Sequence, residues 1–120
     1  GVDIGIDDVC AQVDRFQIRL GDQVQINVNC SVSHDTVLGD YVTLAPGVHL
    51  AGLVAVSTGC HLGTGANVID RLHLGEWSIV GAGSAIVKDV PPNATVAGVP
   101  GRVIKTREAG WHLEGKQGQS

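Results

Sequence analysis

An aliphatic side chain returns at every sixth position along most of this chain. Leu20, Ile26, Val32, Leu38, Leu44, Leu50, Val56, Leu62, Val68, Leu74, Val80 and Ile86 form an unbroken series. Leu, Ile and Val fill 35 of the 120 positions, so the odds of such a run by chance are on the order of a few in a million. Two residues earlier runs a second series, mostly small or β-branched: Ile18, Val24, Cys30, Thr36, Val42, Val48, Val54, Cys60, Ala66, Leu72, Ser78 and Ser84. A spacing of two places both series on one side of a short strand. The residue after each aliphatic is often Gly, Ala, Ser or Asn, the types a sharp corner with strained dihedrals prefers.

A period of six fits neither a helix, which recurs at 3.6 residues, nor a flat meander, which needs reversing turns. It fits a coil whose triangular turn takes three hexads, so that residues 18 apart stack in columns such as Ile26, Leu44, Leu62 and Val80. The chain is therefore expected to be all-β, a parallel β-helix of hexapeptide repeats with about four regular coils, roughly 19 Å tall at the usual inter-strand spacing. Residues 18–104 are read as this domain. Residues 1–17 fall out of phase, with Asp8 and Asp14 where aliphatics are due, and are expected to form an irregular cap or incomplete coil. Pro91-Pro92-Asn93 and Ala97-Gly98-Val99-Pro100-Gly101 interrupt the pattern after Ile86, and residues 105–120 are expected to be a tail.

Composition narrows the class. A 43% apolar fraction excludes a disordered chain, yet the aromatics are only Phe16, Tyr41, Trp77 and Trp111, so a core must be built from aliphatics. Seventeen glycines without a Gly-X-Y period mean corners rather than collagen. The net charge of −4 argues against nucleic-acid binding. The charge is unevenly placed, however: Lys88, Arg102, Lys105 and Arg107 face Asp89 alone between 88 and 107, which suggests a local anion site. Three cysteines, Cys10, Cys30 and Cys60, lack metal-type spacing and cannot make a complete disulfide framework, so a reduced, cytoplasmic setting is expected. No apolar run is long enough to span a membrane.

Several motifs stand on this repeat in order: Ile26-Asn27, Val32-Ser33-His34-Asp35, Ala45-Pro46-Gly47 with Leu50-Ala51-Gly52, Val80-Gly81-Ala82-Gly83-Ser84, Lys88-Asp89-Val90-Pro91, and Ala97-Gly98-Val99-Pro100-Gly101-Arg102. From Val24 to Ile104 this set resembles the left-handed β-helix acyltransferases, and among them the sialic acid O-acetyltransferase and nucleotide-amino-sugar N-acetyltransferase family. The resemblance implies left-handed winding, a homotrimer with active sites between subunits, and acetyl transfer from acetyl-CoA to an amino or hydroxyl group of a sugar or nucleotide-sugar. It makes His34 the general base and Asp35 the residue that tunes it. The separate N-terminal domain by which relatives help hold a nucleotide-sugar has no counterpart in residues 1–17, and Thr43 stands where relatives often place a second histidine. His61, on the same column, is a candidate replacement.

The residues themselves admit this chemistry. An imidazole, with an ordinary pKa of about 6.5, suits proton removal from an acceptor attacking a thioester; read without the motif, His34 is equally a solvated corner histidine. Asp35 can reach it only if the pair sits in a bend, because successive strand residues face opposite ways. Bare corners at Thr64, Gly81 and Ala82 would let a pantetheine arm lie against the backbone, and Lys88 and Arg102 are the candidate phosphate contacts. Cys30 and Cys60 occupy the inward series, which argues against a covalent thiol route and favours direct attack. His34, His49, His61 and His73 do not share a column, so no metal site is expected. Other readings are a serine or other small-alcohol O-acetyltransferase, a non-catalytic structural β-helix, and a gamma-type carbonic anhydrase.

Overall fold

The computed structural model describes residues 18–114 and the two short segments Gly5–Ile6 and Gln12–Val13. Each hexad contributes a two-residue strand followed by a corner. The strands are β1 (Gly5–Ile6), β2 (Gln12–Val13), β3 (Arg19–Leu20), β4 (Gln25–Ile26), β5 (Ser31–Val32), β6 (Val37–Leu38), β7 (Thr43–Leu44), β8 (His49–Leu50), β9 (Ala55–Val56), β10 (His61–Leu62), β11 (Asn67–Val68), β12 (His73–Leu74), β13 (Ile79–Val80) and β14 (Ala85–Ile86). Every third strand stacks in parallel, giving the three faces of a prism: β1-β4-β7-β10-β13, β2-β5-β8-β11-β14 and β3-β6-β9-β12. The register is the column rule itself, with Leu44 beside Leu62 and Leu62 beside Val80. The result is the expected β-solenoid of about four turns.

The corners hold a surprise. From Gln23 to Gly83, every sixth residue has φ between +55° and +77°, and seven of these are not glycine: Gln23, Asn29, Asp35, Tyr41, Leu53, Arg71 and Trp77. The left-handed position is thus three residues after the aliphatic, not one. Such a conformation costs a non-glycine residue roughly 1–2 kcal/mol. It is compensated by a second ladder, in which the strained residue's N–H donates to a carbonyl of the coil below: Tyr41 to Asp22 (2.8 Å), Leu53 to His34 (3.0 Å), Trp77 to Thr58 (2.8 Å). The residue directly after the aliphatic is small for a different reason. A Cβ on Gly63 would stand 2.7 Å from the Ala82 nitrogen, and one on Gly39 would stand 2.8 Å from the Thr58 nitrogen, so adjacent coils simply touch there.

Both inward series line one aliphatic core, with Leu38, Leu44, Leu50, Leu62 and Leu74 all at 1% exposure or less; only Ile18, Leu20 and Leu72 of the described members remain partly open. Buried polar groups on the inward series are paired: Thr36 Oγ1 donates to Ala51 O (3.3 Å) and Ser84 Oγ accepts from the Gly98 N–H (3.2 Å).

The lower end explains the loss of phase before residue 18. Leu20 pairs with Leu38, 18 positions on, but Val13 pairs with Val32 and Ile6 with Ile26, at 19 and 20 positions. Each of these two sides carries an extra residue, so the coil continues while the period lengthens. The other residues of 1–17 lie outside the described set. At the upper end β15 (Ala94–Ala97) extends one face, and β16 (Arg102–Thr106) returns antiparallel beside it. Of residues 105–120, read as a tail, those up to 114 carry structure, with β16 running on to Thr106, and 115–120 lie outside the described set. A 3-10 helix, Trp111–Glu114, places His112 flat on Trp77 (3.5 Å between centroids), and Arg107 lies over Trp111.

Candidate active site

His34 and Asp35 follow β5 on the edge where its face meets the β3-β6-β9-β12 face. Asp35 is one of the left-handed corners, φ +56°, and that bend turns its carboxylate back along the chain. Its Oδ2 lies 3.1 Å from His34 Nδ1. The condition set on the sequence for this pair to meet is therefore satisfied. With Nδ1 held by a carboxylate, Nε2 is the ring nitrogen free to take a proton. The His34 side chain is 52% exposed, which leaves it open to a small molecule.

The column above His34 contains Gly52, Asp70 and Lys88. The room left by the missing side chain of Gly52 is occupied by the imidazole, since a Cβ on Gly52 would meet His34 Nε2 at 2.7 Å. Asp70 is paired with Arg71 at 3.3 Å. Lys88 stands three coils from His34, about 14 Å at the usual inter-strand spacing.

Lys88 and Arg102 are brought together. They line one cleft of about 460 Å³ at the upper end, with Ile86, Val90, Val96 and Val103 as its apolar surface. Neither cation has an ion-pair partner among the described residues, and Asp89 in the same cleft is already engaged by the His73 N–H (2.9 Å). Thr64, Gly81 and Ala82 lie on the opposite edge of the β2-β5-β8-β11-β14 face, at the other end of β14 from Lys88. There the corner is open: nothing stands within 4 Å of where a Cβ on Gly65 or Gly83 would project. In a single chain, then, the expected donor contacts fall on two edges of one face.

His61 does stack on Thr43, but on the β4-β7-β10-β13 face, away from the His34 edge. Cys30 and Cys60 are buried, and desolvation pushes both thiols up, away from the reactive thiolate. Among the described residues no three His, Cys, Asp or Glu side chains converge as a metal site would require. Two further pairs went unremarked in the sequence. Ser31 Oγ and His49 Nδ1 are 2.7 Å apart, 18 positions along one column, which column stacking could have revealed. Ser57 Oγ and His73 Nε2 are 2.9 Å apart across a corner, 16 positions apart, which it could not. No helix among the described residues is long and apolar enough to cross a membrane.

No protein-family model matches the chain. It is 35% identical over 96 residues to a serine acetyltransferase of Synechococcus elongatus, covering 72% of this chain and 39% of that one. Among solved structures it resembles a GDP-perosamine N-acetyl transferase mutant from Caulobacter crescentus in complex with CoA and GDP-perosamine. That match has a TM-score of 0.72 and 32% identity, and covers 80% of this chain and 54% of that one. A maltose O-acetyltransferase from Clostridium difficile superposes with a TM-score of 0.82 at 25% identity, over 90% of this chain and 68% of that one. The chain spans less than half the length of the serine acetyltransferases it matches. In sequence and in three-dimensional form it is a homologue of the hexapeptide-repeat acyltransferases, built as a left-handed β-helix.

Proposed function

We propose that this chain is the catalytic β-helix of an acetyl-CoA-dependent acetyltransferase acting on an amino or hydroxyl group of a sugar or nucleotide-sugar, with His34 as general base. The observation that carries the reading is the His34–Asp35 pair, whose 3.1 Å contact at Nδ1 leaves Nε2 to work on a substrate. Nε2 takes the proton of the acceptor O–H or N–H as that atom attacks the thioester carbonyl. The new C–O or C–N bond replaces the C–S bond, and the departing thiolate is reprotonated from His34. Asp35 stabilises the imidazolium formed between these steps, so no covalent enzyme intermediate is needed. Lys88 and Arg102, in one cleft and without ion-pair partners among the described residues, suit the phosphates of CoA, and the open corner at Thr64, Gly81 and Ala82 suits its extended arm. We read the two edges as parts of one site completed between neighbouring subunits of a homotrimer, in which the flat faces of the prism are covered.

Replacing His34 with Ala is the direct test. With acetyl-CoA and a panel of amino-sugar nucleotides, sialic acid and serine, turnover should fall about 100-fold or more. A folded His34→Ala protein that acetylates at the wild-type rate overturns the assignment. Serine is a second reading of the acceptor, favoured by the similarity to serine acetyltransferases; the same panel separates the two.

A further inference from the structure

The contact between His34 and the coil above it points to a role for a residue with no functional group. Gly52 is buried, and what covers it is the His34 ring. A Cβ built on Gly52 would meet three atoms first, and all three belong to that ring: Nε2 at 2.7 Å, Cε1 at 2.8 Å and Cδ2 at 3.3 Å. No backbone atom is among them. Other crowded glycines differ in this respect. Gly39 and Gly63 are pressed by the backbone of the next coil, while Gly59 lies beneath the Trp77 ring and also has a left-handed φ of +76°. Gly52 is not in the left-handed region, so its backbone would accept any residue. The first obstacle to a side chain here is the imidazole.

Three constraints therefore fix the ring. Asp35 Oδ2 holds Nδ1 at 3.1 Å. The Leu53 N–H donates to the His34 carbonyl at 3.0 Å, tying the two coils together. The bare Gly52 backbone forms the surface on which the edge carrying Nε2 rests. We propose that Gly52 is a positioning residue, a seat that sets the height and direction of His34 Nε2 toward the acceptor. The proposal rests on the reading of His34 as general base. A methyl group at 52 leaves no space for the ring where it stands, so the ring must swing outward, by something on the order of 1 Å; a displacement of that size at a reacting atom costs up to about 100-fold in rate.

The test is Gly52→Ala, alone and combined with His34→Ala. In the single variant kcat should fall about 10- to 100-fold, while KM for acetyl-CoA stays within about twofold because no donor contact is touched. In the double variant the loss should equal that of His34→Ala alone, since a displaced base and an absent base are lost only once. The ring signals of His34 in an NMR spectrum should move in Gly52→Ala, a change that a purely structural defect elsewhere would not produce. Wild-type kcat in Gly52→Ala alongside an inactive His34→Ala overturns the seat. Full activity in His34→Ala instead sinks the base assignment, while unshifted ring signals in Gly52→Ala refute the seating itself. Should Gly52→Ala fail to fold, the double variant decides: with the ring gone it must fold as the parent does, and failure means that the backbone, not the imidazole, requires glycine.

Discussion

Two glycines two positions apart separate the reasons for which this repeat uses the residue. Gly63 has an ordinary φ but no space, with Ala82 N, Val80 O and Gly81 C all within 3.0 Å of a Cβ. Gly65 has open space but a φ of +75°. Gly65→Ala should cost about 1 kcal/mol, the left-handed penalty partly offset by reduced freedom of the unfolded chain. Gly63→Ala must displace backbone and should cost more, about 2–3 kcal/mol. Urea unfolding of both variants checks the order; the reverse ranking would mean that corner strain, not coil contact, limits this fold. Gly52 is a third case, crowded first by the His34 ring proposed as the general base, where the same substitution should be read in turnover rather than in stability.

None of the two-residue strands could stand alone, because each buries almost nothing and makes few hydrogen bonds. Each is held by its neighbours one coil away, so stability is spread along the columns in the manner of other repeat proteins. The column Ile26, Leu44, Leu62, Val80 is buried at every level. Truncating its middle member, Leu62→Ala, leaves a void between two coils and should destabilise the protein by about 2–5 kcal/mol, measured by denaturant titration. The open ends are managed by elements outside the repeat. On one face β16 covers β15; above β12, which has no strand over it, Val90 bridges Leu74 and the Asp89 carboxylate accepts the His73 N–H. The Arg107–Trp111 and His112–Trp77 contacts hold the last described segment against the coils.

At the scale of the whole molecule, a prism about 35 × 30 × 21 Å presents flat faces whose strand residues from Gln25 to Ala85 include no Asp, Glu, Lys or Arg. Such faces suit burial against copies of the chain, as the proposed trimer requires. Light scattering at micromolar concentration should give three times the chain mass; a monomer that keeps full activity would defeat the shared site. Binding of CoA should weaken with added salt, as exposed cations bind phosphates. It should weaken further in Lys88→Ala and Arg102→Ala, and calorimetry showing no change in either variant would remove the cleft from the donor site.

What the sequence determined by itself was everything that repeats. The period of six set the two-residue strands, the columns 18 apart and the identity of the core, because inward and outward positions alternate within each strand and a coil of three equal sides has only one stacking. His34 and Asp35 were legible through the motifs that carry the family resemblance, and Lys88 and Arg102 through the local excess of positive charge. Only the tertiary structure decided how they meet. It showed the strain three residues past each aliphatic rather than one, since backbone dihedrals depend on the ladder between coils and not on residue type alone. It showed that Asp35 turns toward His34, that the imidazole fills the space over Gly52, and that Lys88 and Arg102 share a cleft while Thr64, Gly81 and Ala82 lie on another edge. The extra residue on each of the first two sides was invisible to a fixed period, because pairing tolerates a longer corner wherever the strands can still reach their partners.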